Sequence, residues 1–546
     1  MCWEEKNKVN AVFEVRPARI RTRDKKQEER ILNLFLQKTK SKKGNNFMPE
    51  QAWSSVCWKR WLSVAMIVGL FALSFSLRLY RLGTHDFWYD EIYSVYYAKN
   101  PWQNWNAPLY WIVLHFWVKI VGFSEFSLRF PSMLFNFLTT GVVFLLGREL
   151  FSKKTAILAT LLIVLSPFHL WYAQEARDYS MVVFWGTLSS YILFLVVKKS
   201  RFKRWLAFTL ISLAGLYTNY FYIFLVAAQF LYILYIFKFR IKKIYALFLL
   251  ITGVFGLYLP RFLSKFSVVA KGFWVLPPEW RSLGITLQNY MLGYSGTTFL
   301  YALSYFLALF LFVTLLWVAS RKKGLRRSIV FCVFLFVIPI SSVFLFSKLF
   351  FSVYLTRGLL LFSPYFYILI ACAVMELRKE VATVVSCVLI GIVSCGAGLY
   401  FGDHLYPSLE YHLGTYLKKP VKPIVDFLNK NVGERDLIVF TNESVQEGVD
   451  FYAQNRFFLY YLFVPQTLDT SWGRPIPESR LDIPVHKITA REFERMWVIS
   501  TDWGRTGTVD ENSAAVKRWL DSHLRLLSST ELDGLWIYCY EKKEAG

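Results

Sequence analysis

Long apolar runs separated by short polar breaks occupy residues 61–400, and after residue 400 the pattern changes to short apolar stretches among charges of both signs. The first run, Trp61 to Leu79, has the ~20 apolar residues that a bilayer-spanning helix requires. Similar runs lie near Pro131–Gly147, Thr155–Trp171, Tyr179–Val197, Trp205–Thr218, Tyr220–Phe237, Ile244–Leu263, Phe299–Ala319, Ser328–Phe346, Gly358–Met375 and Val381–Tyr400. The pattern predicts an all-α polytopic membrane protein of about eleven transmembrane helices. Beyond them, a helix-like Pro423 to Lys430 leads into the strand-like Asp436 to Phe440, and Met496 to Ser500 and Leu535 to Tyr540 also read as short buried strands. A small C-terminal extracytoplasmic α/β domain over 401–546 is expected, without a Gly-rich phosphate loop or metal-ligand spacing of its own.

Topology turns on Pro108 to Val121, an apolar run interrupted by His115 and Lys119. A run of ~10 to 14 residues is more often interfacial than spanning. Treating it as non-spanning puts the basic loops Arg148 to Lys154, Lys198 to Arg204, Lys238 to Lys243, Arg321 to Arg327 and Arg378 to Lys379 all on the cytoplasmic side, as the orientation rule demands. Residues 1–60 read as a cytoplasmic basic extension, largely disordered and attracted to anionic membrane lipids. No cleavable signal peptide is evident, because the first apolar run follows this basic stretch.

Composition agrees, with 55% hydrophobic and 19% aromatic residues, too apolar for a water-soluble chain of this size. The net charge of +25 sits mainly between apolar segments, since residues 61–400 carry 31 Lys/Arg against 10 Asp/Glu while residues 401–546 carry 17 against 21. That distribution is the positive-inside pattern, and no nucleic-acid partner is expected. The seven cysteines form no secreted disulfide framework, and Cys332, Cys372, Cys387 and Cys395 in apolar segments read as packing residues.

With so few acids in the membrane region, their clustering is informative: Asp86, Asp90 and Glu91 fall in one segment and Glu175 and Asp178 in another. The predicted topology puts both segments on the non-cytoplasmic side, in outer loops near 80–130 and 172–180. Convergent carboxylates at an interface can take a proton from a hydroxyl nucleophile or hold a divalent cation; a single such acid is more simply a solvated loop residue. Cations on the outer side or its boundary, Arg177, Arg261, Lys265, Lys271, Arg281 and Arg357, can bind a lipid-linked phosphate and stabilise it as a leaving group, or contact headgroups. Residues 264–296 are expected to form a long outer loop whose Trp274 and Trp280 suit an interfacial lid or an anchor.

Several of these residues carry a family resemblance. Phe87-Trp88-Tyr89-Asp90-Glu91, followed by Ala107-Pro108-Leu109-Tyr110, Gly122-Phe123-Ser124-Glu125 and Leu128-Arg129-Phe130-Pro131-Ser132, resembles the first outer loop of C-type integral-membrane glycosyltransferases (GT-C fold), in the bacterial protein-mannosyltransferase-like branch (glycosyltransferase family 39). Ser166-Pro167-Phe168-His169-Leu170-Trp171-Tyr172-Ala173-Gln174-Glu175-Ala176-Arg177-Asp178-Tyr179-Ser180 is similar to the family's second outer-loop motif, and Tyr354 to Pro364 resembles its later Arg-and-Pro segment. The resemblance spans residues 61–400 and implies a sugar donor carried on a polyprenyl phosphate, a protein, lipid or glycan acceptor, and direct displacement with inversion. It implies Asp90 as catalytic base, with Glu91 beside it in acceptor binding or metal contact. Donor phosphate and substrate binding fall to Glu175, Arg177, Asp178, Tyr179 and Arg357. A divalent metal ion, if used, is implied at Asp90, Glu91 and Glu175. The chain departs from the family at Asn106-Ala107-Pro108, at Asn219 where relatives frequently carry His, and at Gly358 in place of the usual Tyr.

The resemblance implies an enzyme in the plasma (inner) membrane. A lipid or glycan transporter is the competing class, yet it would show paired halves and ionisable groups near the midplane, and here the acids lie in loops. A non-catalytic lipid-binding scaffold of the same fold is the third reading.

Overall fold

The structure is a computed structural model that describes residues 50–103, 107–238, 275–406, 420–454, 456–463, 480–501, 511–532 and 534–543, with 255–256, 259–260, 263–264, 266 and 418. The extension up to residue 49, most of the run Ile244–Leu263, and Arg261, Lys265, Lys271 and Trp274 lie outside the described residues. Two compact units divide the chain, Met1–Ala72 and Leu73–Gly546. Of the first, the helix beginning at Glu50 is described.

The membrane region is helical in chain order: α1 Glu50–Leu79, α2 Tyr89–Lys99, α3 Leu109–Val121, α4 Glu125–Leu150, α5 Lys153–Leu165, α6 Pro167–Ala173, α7 Tyr179–Lys198, α8 Phe202–Leu216, α9 Tyr222–Phe237, α10 Trp280–Leu292, α11 Thr298–Arg321, α12 Lys323–Leu349, α13 Thr356–Leu359, α14 Ser363–Met375 and α15 Lys379–Phe401. Among the described residues, seven helices are long and apolar enough to cross a membrane, or eight if the bent pair α5 and α6 is one span. The chain is an integral membrane protein.

α3 has 13 residues. At ~1.5 Å per residue it is ~20 Å long, short of a ~30 Å hydrocarbon core. It buries Tyr110, Trp111, Leu114 and Val118 while Phe116 and Ile120 stay exposed, the pattern of a helix lying against the bundle.

Two expectations change. Residues 155–171 are not one straight helix, because α5 and α6 meet at 59°. Pro167 opens α6, and the Ser166 hydroxyl accepts the His169 N–H there, so the ladder breaks and restarts. The stretch expected as a loop over 264–296 contains α10, whose second half is buried. The Tyr290 hydroxyl donates to the Leu359 carbonyl at 2.7 Å, and Thr286 bonds Tyr354 at 2.8 Å.

The C-terminal part is the α/β domain anticipated from the short strands. Its six strands are β1 Leu437–Phe440, β2 Leu459–Phe463, β3 Arg480–Pro484, β4 Met496–Thr501, β5 Leu524–Leu532 and β6 Leu535–Lys542, in the order β3-β2-β1-β4-β6-β5. The first four run parallel, with Leu437 opposite Met496 and Ile438 opposite Leu459, and β5–β6 close the edge as an antiparallel hairpin. β1 and β4 are buried throughout, as central parallel strands covered on both faces must be. α16 Lys422–Asn431 and α17 Glu443–Ala453 pack Ile424, Leu428 and Val449 on one face, and α18 Glu511–His523 packs Val516 and Leu520 on the other.

Gly293 closes α10 at φ +59, and a Cβ there would stand 2.9 Å from the Phe168 backbone nitrogen. Gly293→Ala is therefore expected to lower the thermal midpoint of the detergent-solubilised protein, by the equivalent of ~2 kcal/mol, from strain and close approach together. Gly391→Ala, where a Cβ meets nothing within 4 Å, serves as the control and is expected to leave the midpoint unchanged.

Candidate active site

The loop between α1 and α2 and the first turn of α2 together hold three acids that go to three different places. Asp86 is buried and accepts the Val421 and Lys422 backbone N–H groups at 2.7 and 2.9 Å, capping the first helix of the sheet domain. Lys422 also reaches Asp86 and Glu125, the Tyr452 hydroxyl donates to Glu125, and the Tyr93 hydroxyl donates to Glu447. Phe87 packs edge-on against Phe451 at 5.8 Å. The sheet domain is thus docked onto this loop.

Glu91, in the first turn of α2, is wholly buried. Arg129 of α4 donates to both its oxygens at 2.8 Å, in the bidentate geometry that guanidinium and carboxylate favour. The remaining Arg129 N–H groups go to the carbonyls of Leu82, His85 and Asp86 at 3.1, 2.9 and 3.0 Å. Glu91 also accepts the Ala176 N–H at 2.9 Å and the Lys418 ammonium at 3.3 Å. Burial alone would push this carboxyl up; Arg129, Lys418 and the Ala176 N–H outweigh it and hold it down at about 2.

Asp90, the neighbour of Glu91, stays 17% exposed, and Arg357 donates to its carboxylate at 3.3 Å. Its backbone carbonyl accepts from Arg177 at 3.3 Å. The Arg177 guanidinium lies 5.4 Å over the Trp111 ring, and its carbonyl accepts from Ser132 at 2.9 Å, so α3 and α4 both fix it.

The loop between α6 and α7 supplies the rest. Glu175 is buried and accepts the Trp171 indole N–H at 3.1 Å through one oxygen; its other oxygen has no partner among the described residues. Burial, helped by Glu91 and Asp90, pushes its carboxyl up to about 7 against the opposing pull of Lys418 and Arg357. Lys418 is pulled down to about 8, by burial first and then by Arg129. Asp178 is buried and raised for the same primary reason, and accepts the Asn219 side-chain amide at 2.9 Å. Tyr179 opens α7 with its ring 5.0 Å from that of Tyr172.

The structure therefore brings Asp90, Glu91, Glu175, Arg177 and Arg357 into one cluster, and sets both acidic loops on the same side of the bundle. Asp178 and Tyr179 flank it. Arg281 is exposed at the start of α10, and Asp86 serves the domain junction. Lys418 and the role of Arg129 were not anticipated from the sequence. Arg129 lies within the Leu128–Ser132 motif, 38 residues from Glu91, whereas nothing in the local sequence marks Lys418. The Asn219 departure has a partner in Asp178, and Gly358 fits because a Cβ there would stand 2.5 Å from the Phe221 ring.

Residues 106–261 match the family described as dolichyl-phosphate-mannose-protein mannosyltransferase. No curated protein matches the chain. Among solved structures, ArnT from Cupriavidus metallidurans in the apo state is similar over 89% of this chain and 98% of its own, at TM-score 0.56 and 13% identity. The same protein bound to undecaprenyl phosphate is similar over 87% of this chain and 97% of its own, at TM-score 0.52 and 14% identity. The sequence match and the shared fold support a membrane glycosyltransferase of the C type.

Two predictions follow from the buried charges. Glu91→Gln and Arg129→Met are each expected to cost ~3 kcal/mol or more, because each leaves its partner buried and unpaired, and the double variant is expected to cost less than the sum. Thermal midpoints of the four proteins in detergent test this. Glu175 carries the opposite sign of linkage: with its carboxyl raised from the ordinary 4.5 to about 7, folding disfavours the ionised form, so its contribution falls as pH rises across that window. Glu175→Gln is expected to gain on the wild type in midpoint from acid to neutral pH; a constant difference would contradict the assignment.

Proposed function

We propose that the chain transfers a sugar from a polyprenyl-phosphate-linked donor to a hydroxyl of a protein, lipid or glycan acceptor on the extracytoplasmic face of the plasma membrane. The observation that carries the reading is the division of labour between Asp90 and Glu91. Glu91 has both oxygens taken by a buried guanidinium, while Asp90 keeps an accessible carboxylate beside Arg357. A general base needs an oxygen that can reach the acceptor proton, and Asp90 has it.

In the proposed reaction, Asp90 removes the acceptor hydroxyl proton as the oxygen attacks the anomeric carbon. The bond from that carbon to the phosphate oxygen breaks, and polyprenyl phosphate leaves with the electron pair. Arg357 and Arg177 are placed to bind the phosphate and stabilise the charge that develops on it. Glu175, Asp178 and Tyr179 shape the second loop around the donor. Glu91 is a positioning residue, holding the first loop to the second through Arg129 and the Ala176 N–H. The ArnT complex with undecaprenyl phosphate supports a polyprenyl-phosphate donor for this fold. The side assignment rests on the basic loops, which the orientation rule keeps in the cytoplasm.

The residues present do not fit a divalent cation. Glu91 is saturated, Asp90 faces Arg357, and Glu175 lies under the influence of Lys418. Among the described residues no group of three His, Cys, Asp or Glu side chains is arranged around a common point.

Asp90→Asn in purified full-length protein, supplied with a radiolabelled polyprenyl-phosphate sugar and membrane-fraction acceptors, is expected to lose transfer by ~10²- to 10⁴-fold while still binding donor. Full transfer by that variant would remove Asp90 as the base. Arg357→Gln is expected to weaken donor binding as well.

A further inference from the structure

A cleft lies beside Arg129, the cation paired with Glu91. It is lined by Arg81, His85, Trp171, Tyr400, His404 and Lys418, together with Arg129 and Asp403. Its basic groups outnumber its acids. Asp403 is shared between Arg81 at 2.8 Å and His85 at 3.3 Å, and Arg129 is neutralised by Glu91. Arg81 also donates to the Phe401 carbonyl and bonds the His85 ring, which engages three of its five N–H groups. Among the described residues, the other two have no partner. The Lys418 ammonium, with one N–H on the Gln174 carbonyl at 2.6 Å and another toward Glu91, also lines the cleft.

The place of the cleft in the fold indicates the source of such a ligand. Its lining includes Arg81, just past the end of α1, and Tyr400 and Phe401 at the end of α15, two helices that qualify as membrane spans. Tyr80 beside it is 58% exposed and packs edge-on against Phe401 at 5.2 Å. Aromatic rings at the ends of spanning helices mark headgroup depth. A cationic cleft with aromatic walls at that depth suits an anionic lipid headgroup, because convergent charge-assisted bonds from Arg and Lys bind phosphate oxygens strongly.

We propose that this cleft binds a phosphate-class oxyanion, the headgroup of an anionic membrane lipid, at a site separate from the one formed by Asp90, Arg177 and Arg357. The inference does not rest on the transfer reaction. Arg129 lines this cleft, and the groups proposed to hold the oxyanion are Arg81, Lys418 and the His404 imidazole.

The test uses full-length protein carrying Arg357→Gln, which removes one of the two phosphate contacts proposed for the other site. One arm titrates inorganic phosphate, followed by phosphorus NMR line broadening. The other compares retention of phosphatidylglycerol and phosphatidylcholine by native mass spectrometry. Adding Arg81→Gln is expected to weaken the oxyanion about tenfold, the loss of roughly one charge-assisted contact. Arg81→Lys is expected to recover part of it. His404→Gln, at an exposed position that does not threaten folding, is expected to weaken binding by a smaller factor. Phosphatidylglycerol retained in preference to phosphatidylcholine supports the lipid source; phosphate binding without lipid preference supports the site with a soluble ligand and overturns the lipid source. Binding of neither probe, or equal binding by the Arg81→Gln and His404→Gln proteins and their parent, overturns the site.

Discussion

The buried pair between Glu91 and Arg129 is the constraint on which the candidate site depends. One guanidinium satisfies both oxygens of the carboxylate and three carbonyls of the loop from Leu82 to Asp86, so five donors fix a segment with little regular structure. Burying two charges is unfavourable unless every lone pair and N–H is used, and here they are. The carboxylate then spends its remaining capacity on the Ala176 N–H and on Lys418. Four parts of the chain that are distant in sequence meet at this one ion pair: the first loop, α4, the second loop and the approach to the sheet domain.

Placing Glu91 inward sets the position of its neighbour. Adjacent residues on a helix point in directions ~100° apart, so a sealed Glu91 turns Asp90 toward the space shared with Arg357 and Arg177. Four residues earlier, Asp86 points to the sheet domain and caps α16. Asp86, Asp90 and Glu91, similar in composition, thereby become a domain clamp, an accessible carboxylate and a structural anion. The environment of each, and not its residue type, separates the roles.

Much of this architecture was legible in the sequence. The apolar runs located the seven helices that, among the described residues, are long and apolar enough to span, the basic loops implied that α3 does not cross, and that reading alone put Asp90 and Glu175 on one side. The central strands were readable because β1, β4 and β6 are short apolar runs bounded by turns. The exposed edge strand β5, Leu-Arg-Leu-Leu-Ser-Ser-Thr-Glu-Leu, has a weak apolar alternation and was not. α10 was hidden because Pro277 and Pro278 just before it read as loop, while its helical state rests on tertiary partners such as Leu359 and Tyr354. The bend at Pro167 was written in the chain, yet the apolar run around it masked the break. Glu91 and Lys418 are 327 residues apart, and no local pattern encodes such a contact.

The central claim is that a single accessible carboxylate, Asp90, serves an acceptor hydroxyl while its neighbour is sealed, which leaves direct displacement at the sugar and no covalent sugar–enzyme intermediate. The measurement that tests it most directly is the anomeric configuration of the transferred sugar, read by proton NMR of the product against the donor. Inversion is the result predicted. Retention would require a second nucleophile in the site and would contradict the account.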